Sequence, residues 1–156
     1  MLVYRLSRKE EIDNILKNKT LENIGTEGKT YIKEEKEVNL NNHHYEENER
    51  YLHFFPNIEY ILYINPEKDM YLCYYDIPDE ILNKNLGVGE YKDYFILSIP
   101  RKIPEYSINI KDLDINYLEE IDLITDNICI EDYIEDETLS NFLEPVYTKT
   151  NLKNKK

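Results

Sequence analysis

Apolar and polar positions along this chain follow two alternating rhythms. Residues 2–6 read as a first strand, and Ser7 with Glu10 three positions later has capping-box spacing that would open a helix. Ile12, Ile15 and Leu16 then fall on one helical face. Gly25 and Gly28 punctuate the stretch after this helix, and residues 39–49 form a polar loop too hydrophilic for a core. Residues 50–55 (Arg-Tyr-Leu-His-Phe-Phe) read as a strand that Pro56 ends. Proline suits the first turn of a helix, which is expected over 57–64 with Tyr60, Ile61 and Ile64 on its buried face. Residues 70–77 are almost wholly apolar and aromatic, as in a central strand covered on both faces. Helical turns over 78–82, a Gly87-Val88-Gly89 turn and strands over 91–99 and 103–110 come next. The remainder reads as two short acidic helices, 116–121 and 131–143, with Ile128-Cys129-Ile130 extended between them. The pattern predicts one compact α+β domain over residues 1–148, built from small mixed or antiparallel sheets and short helices. An acidic helical C-terminal segment starts at about residue 112, and residues 149–156 are a basic tail expected to be disordered.

Composition narrows the class. A chain of 156 residues can bury a real core, and 15 Tyr and 4 Phe give that core aromatic mass in the absence of Trp. Nothing approaches the ~20 consecutive apolar residues of a spanning helix. Met1-Leu2-Val3-Tyr4-Arg5 also lacks the basic-then-apolar layout of a signal peptide, so a cytoplasmic location is expected. Cys73 lies in an apolar strand, where a reduced, buried thiol is expected rather than a disulfide with Cys129. His43, His44, His53, Cys73 and Cys129 show no metal-ligand spacing, and no metal is expected. Neither a Gly-x-Ser-x-Gly elbow nor a Walker-type phosphate loop is present.

Charge adds a second line of argument. Thirty-two acids against nineteen bases give −13, and no Lys or Arg occurs from Asp112 through Thr148. Such a surface repels phosphate backbones, which argues against direct nucleic-acid binding. A solvated acidic face that aids solubility is one reading. The other is a docking surface, over residues 112–144, for a basic protein partner whose own work is to hold nucleic acid.

Three residues on separate strands could carry chemistry. Arg5 is either a surface residue with its stem along the sheet or an anchor for a phosphate or ribose. Tyr4 beside it points to the opposite face. His53 is either a hydrogen-bonded core residue or part of a cleft face with Tyr51 and Phe55, alternating with Leu52 and Phe54. Glu105 shares a face with Ser107 and Asn109, away from Tyr106, Ile108 and Ile110. It is either an exposed acid or a carboxylate that bonds a ribose hydroxyl and stabilises charge at an anomeric carbon.

The order of these elements resembles the ADP-ribosyltransferase-like superfamily over about residues 1–110. Arg5 matches the family's first-strand Arg or His, the 51–55 strand running into 57–64 matches its second motif, and Glu105 in Ile-Pro-Glu-Tyr-Ser-Ile matches its late-strand Glu. The resemblance implies two small sheets with NAD, as substrate, in the cleft between them. Tyr4, Arg5, Tyr51, His53 and Phe55 would hold NAD, and Glu105 would assist nicotinamide loss in a transferase or NAD glycohydrolase. Two positions depart from the pattern. His53-Phe54-Phe55 stands where Ser-x-Ser is common, and Ile103 replaces the Gln or Glu linked to arginine modification. Such an enzyme would act in phage–host or toxin conflict, and the competing expectation is a non-enzymatic acidic protein, such as an inhibitor in phage–host conflict, that occupies a partner's basic, nucleic-acid-binding surface.

Overall fold

The computed structural model describes residues 1–23, 30–33, 36–39, 51–60, 68–92, 100–126 and 139–149. Its strands are β1 (Leu2–Ser7), β2 (Thr30–Lys33), β3 (Lys36–Asn39), β4 (Tyr51–Phe54), β5 (Tyr71–Asp76), β6 (Leu86–Lys92), β7 (Pro100–Asn109), β8 (Leu118–Ile124) and β9 (Leu143–Thr148). Its helices are α1 (Lys9–Asn18) and α2 (Asp79–Lys84). The architecture is mixed α+β. One sheet has the order β1-β5-β8-β9 and the other β3-β2-β6-β7-β4. Every strand pairing among the described residues is antiparallel.

The two sheets meet edge to edge. The Tyr4 N–H donates to the Phe55 carbonyl at 3.0 Å, and the Phe55 N–H donates to the Tyr4 carbonyl at 2.7 Å. Pro56, which has no N–H to give, comes immediately after, and the pairing stops there. This single bridge makes β1, β4 and β7 consecutive neighbours across the sheet boundary.

Alternation then sorts side chains onto two faces. Val3, Leu52, Phe54, Cys73, Tyr75, Ile108 and Ile121 share one core with Ile12 and Ile15 of α1 and Leu82 of α2. Phe54 and Tyr75 meet there edge-to-face at 4.9 Å, so the aromatic packing crosses from one sheet to the other. The opposite face gathers Phe55, Leu72, Ile103 and Ile124, with Tyr4, Leu6 and Tyr74 partly buried beside them.

Several elements differ from the sequence expectation, each for a local reason. Arg8, not Ser7, occupies the N-cap of α1, and no side chain caps it. Ser7 is the last residue of β1, and its hydroxyl donates to Glu11 inside the protein. The helix ends in a left-handed Lys19 (φ 55°), whose N–H donates to the Ile15 carbonyl while the Thr20 N–H reaches back to the Asn14 carbonyl. In the expected helix over 57–64, residues 58–60 form a single 3-10 turn, while 61–64 lie outside the described residues. Gly87-Val88-Gly89 is no turn; it is the interior of β6, paired along its length with β7.

The acidic C-terminal segment is corrected most. Residues 115–117 are a 3-10 turn that leads into β8, in place of a helix over 116–121. Leu118, Ile121 and Ile124 recur every third residue, which imitates helical spacing. In the strand, an irregularity opposite Tyr74/Tyr75 leaves Glu119 unpaired and resets the alternation, so that Leu118 and Ile121 share a core, while Ile124 falls on the opposite face. Leu139–Phe142 is a 3-10 turn leading into β9, so the described part of the expected 131–143 helix is not α-helical. Residues 127–138, including Ile128-Cys129-Ile130, lie outside the described residues, as do 93–99, most of the 39–49 loop and the tail beyond Lys149. Among the described residues no helix is long and apolar enough to cross a membrane.

Candidate functional site

Arg5 sits on the core side of β1 and is only 3% exposed, which overturns its reading as a surface residue. Its Nε donates to Glu11 Oε2 at 2.9 Å and one Nη to Glu11 Oε1, a bidentate pair with a carboxylate that has no exposed surface. The guanidinium also donates to the His53 carbonyl and to Asn23 Oδ1, both at 3.3 Å. Asn23 in turn donates to the Tyr51 carbonyl at 3.0 Å. Burial alone would lower the pKa of Arg5, but the facing Glu11 carboxylate outweighs it and raises the value. The group therefore clamps β4 to β1 and α1 from the α1 side, and its donors are turned away from the opposite face.

Cys73, opposite Arg5 in the β1–β5 ladder, is a free, buried thiol whose Sγ donates to Ser7 Oγ at 3.7 Å. Burial, then the charge of Glu11, pushes its pKa up to about 12. Tyr75, two residues along, has a buried hydroxyl with no hydrogen-bond partner. Burial raises its pKa well above the usual phenol range.

The other face holds the remaining candidates. His53 is buried opposite Ser107, and Glu105 lies two residues from Ser107 on the same face of β7. Glu105 has no exposed surface, so its reading as a solvated acid is also overturned. Extending the β4–β7 ladder one residue past Phe54–Tyr106 sets Phe55 beside Glu105. Phe55 pairs with Tyr4, Tyr4 with Tyr74, and Tyr74 with Glu120. One transverse row of side chains thus runs Glu105, Phe55, Tyr4, Tyr74, Glu120. At ~4.8 Å per strand it spans about 19 Å.

The structure therefore brings Tyr4, His53, Phe55 and Glu105 to one face and leaves Arg5 on the other. Tyr51 has the parity of His53 and sits half-buried at the far end of β4, opposite Asn109.

Glycines missed as site residues complete the picture. Gly87 lies opposite Glu105 and Gly89 opposite Ile103. At both positions β6 raises no side chain from this face, beside the fully buried Glu105 carboxylate. Glycine inside a strand marks such a close approach, and two glycines at a two-residue spacing are its sequence signal. Ser107, Tyr74 and Asp122 carry no comparable signal, and only strand pairing brings them to the site. Among the described residues, no three His, Cys, Asp or Glu side chains cluster as metal ligands would. His43 and His44 lie outside the described residues. Compared with protein-family models, curated proteins and solved structures, the chain matches none of them.

Proposed function

We propose that this chain is an ADP-ribosyltransferase-like protein that takes NAD as substrate, acting as a transferase or NAD glycohydrolase. The observation that carries the reading is the adjacency of β1, β4 and β7, with Tyr4, Phe55, His53 and Glu105 on one face of them. Three strands distant in sequence are neighbours here, which supports the reading.

In this mechanism Phe55 and Tyr4 offer apolar walls for a flat ring, and the ribose reaches the buried Glu105 from the Gly87 side, where β6 carries no side chain. The bond between nicotinamide nitrogen and the ribose anomeric carbon breaks, and its electron pair leaves with neutral nicotinamide. The Glu105 carboxylate stabilises the oxocarbenium charge that develops. Water or an acceptor nucleophile then adds to that carbon and releases a proton. A fixed carboxylate in a dry site contributes a few kcal/mol to such a step. Arg5 acts here as a positioning residue: its bond to the His53 carbonyl holds β4 against β1.

Nicotinamide release from NAD by the purified protein tests the reading, with Glu105→Gln as the control. The variant is expected to keep its fold and lose about a hundredfold or more in rate. Absence of release by the wild type, together with no thermal shift in NAD, would overturn it.

A further inference from the structure

The far end of the transverse row carries polar groups that NAD chemistry at Glu105 does not use. The Tyr74 hydroxyl donates to Asp122 Oδ2 at 2.7 Å. Asp122 is only 5% exposed, and its second oxygen, Oδ1, is buried with no hydrogen-bond partner. Such an orphaned carboxylate oxygen is destabilising until a donor reaches it. Glu120, half-buried, stands opposite Tyr74 in the ladder and two residues from Asp122 on β8. Tyr4 packs edge-on against Tyr74 with ring centroids 5.5 Å apart. Lys149, which follows β9 beside β8, is committed elsewhere: it pairs with Glu119 at 3.2 Å and donates to the Asn116 carbonyl.

We propose that Tyr4, Tyr74, Glu120 and Asp122 form a binding site for the guanidinium of an arginine side chain on a basic polypeptide partner. The guanidinium is the cation that fits all four groups. Its planar fork gives two parallel N–H donors, which Asp122 Oδ1 and the Glu120 carboxylate accept. Its flat face lies against a tyrosine ring, where the ring quadrupole attracts it. A hard metal ion requires six or more oxygens, whereas two carboxylates converge here. Burial and then the neighbouring Asp122 charge raise the pKa of Glu120, and an arriving cation relieves that repulsion. The net charge of −13 draws basic segments towards this surface from a distance. The site stands on its own geometry, whether or not NAD binds at Glu105.

NMR titration with the capped peptide acetyl-Gly-Gly-Arg-Gly-Gly-amide tests the proposal, with the same peptide carrying neutral citrulline as control. Saturable binding of the arginine peptide, with shifts centred on Tyr74 and Glu120 and about tenfold weaker binding of the citrulline peptide, is the expected result. Asp122→Asn should weaken the arginine peptide about tenfold. Glu119→Gln, at the Lys149 pair, should leave it unchanged. Should Asp122→Asn unfold, Glu120→Gln reads the same contact from the half-buried side. Equal binding of the two peptides, no binding up to about 10 mM, or indifference to Asp122→Asn and Glu120→Gln would each overturn the site.

Discussion

Replacing Glu11 by Gln probes the energetics of the fold most directly. The substitution keeps shape and volume, so it leaves no cavity, and it removes one charge. In the native protein the Glu11 carboxylate accepts from Arg5 Nε, Arg5 Nη and Ser7 Oγ. A glutamine turns an NH2 group towards at least one of those donors, and it leaves the Arg5 charge buried without a counter-ion. Breaking a buried pair by removing one partner costs about 3–5 kcal/mol. Against a typical stability of about 5–15 kcal/mol the loss is a large share. In a chain of this size it lowers Tm by about 10 °C. Urea titration followed by far-UV circular dichroism measures it. The double variant Arg5→Met with Glu11→Leu is the companion measurement. Replacing the whole pair by apolar side chains avoids the orphaned charge, so it should be more stable than Glu11→Gln alone. A loss below about 1 kcal/mol for Glu11→Gln, or a double variant that sums two large penalties, would refute this reasoning.

Other consequences are as direct. With its pKa pushed up to about 12, Cys73 is almost wholly protonated at pH 8 and should escape iodoacetamide in the native protein, while labelling fully in urea. Peptide mapping reads this, and native labelling within minutes would contradict it. Glu120 has a folded-state pKa above its ordinary 4.5, so its contribution favours the native state below that pH and is lost as pH rises through the raised value. Glu120→Gln should therefore raise Tm at pH 8 and leave it unchanged below about pH 4.5, and the opposite order would refute the assignment. Gly87→Ala places a methyl beside Glu105 at a strand position that tolerates it. Nicotinamide release should fall while Tm holds or rises by a few degrees, since Ala loses about 0.5–1 kcal/mol less backbone entropy than Gly.

Legibility in the sequence tracks the range of the interactions involved. β1, α1, β4, β5 and α2 are readable because each carries its own periodicity or its own proline. The 12, 15, 16 stripe buries as expected, with Ile12 and Ile15 inside and Leu16 against them. Alternation also places Tyr4 and Arg5 on opposite faces, and His53 with Phe55. β8 reads falsely as a helix because a bulge at Glu119 puts Leu118 and Ile121 on one face and Ile124 packs on the other, and a bulge is a property of two strands, invisible in one. The glycines of β6 mislead for a related reason: glycine marks turns and bare strand positions alike, and only pairing with β7 distinguishes them. Spacing alone pairs Ser7 with Glu10, yet Glu11 is the residue that faces inward. Nothing local separates two adjacent glutamates until the arginine across the core selects one of them.

That selection bears on the site itself. Tyr4 and Arg5 are adjacent in β1, so a one-residue slip at the Tyr4–Phe55 bridge would exchange them between faces. Arg5 would then look towards Glu105, and Tyr4 towards α1. Apolar patterning only weakly opposes the exchange, because Leu2, Val3, Tyr4 and Leu6 can pack on either side. What opposes it is charge. Glu11 is fully buried on the α1 side and has Arg5 as its cation, while Asn23 Oδ1 and the His53 carbonyl accept from the remaining guanidinium donors. A slipped strand would leave Glu11 buried and unpaired, a penalty of several kcal/mol. The carboxylate on α1 thus fixes which residue of the Tyr4-Arg5 pair faces the Glu105 side. An aromatic ring is set between Phe55 and Tyr74 because an arginine is held behind it.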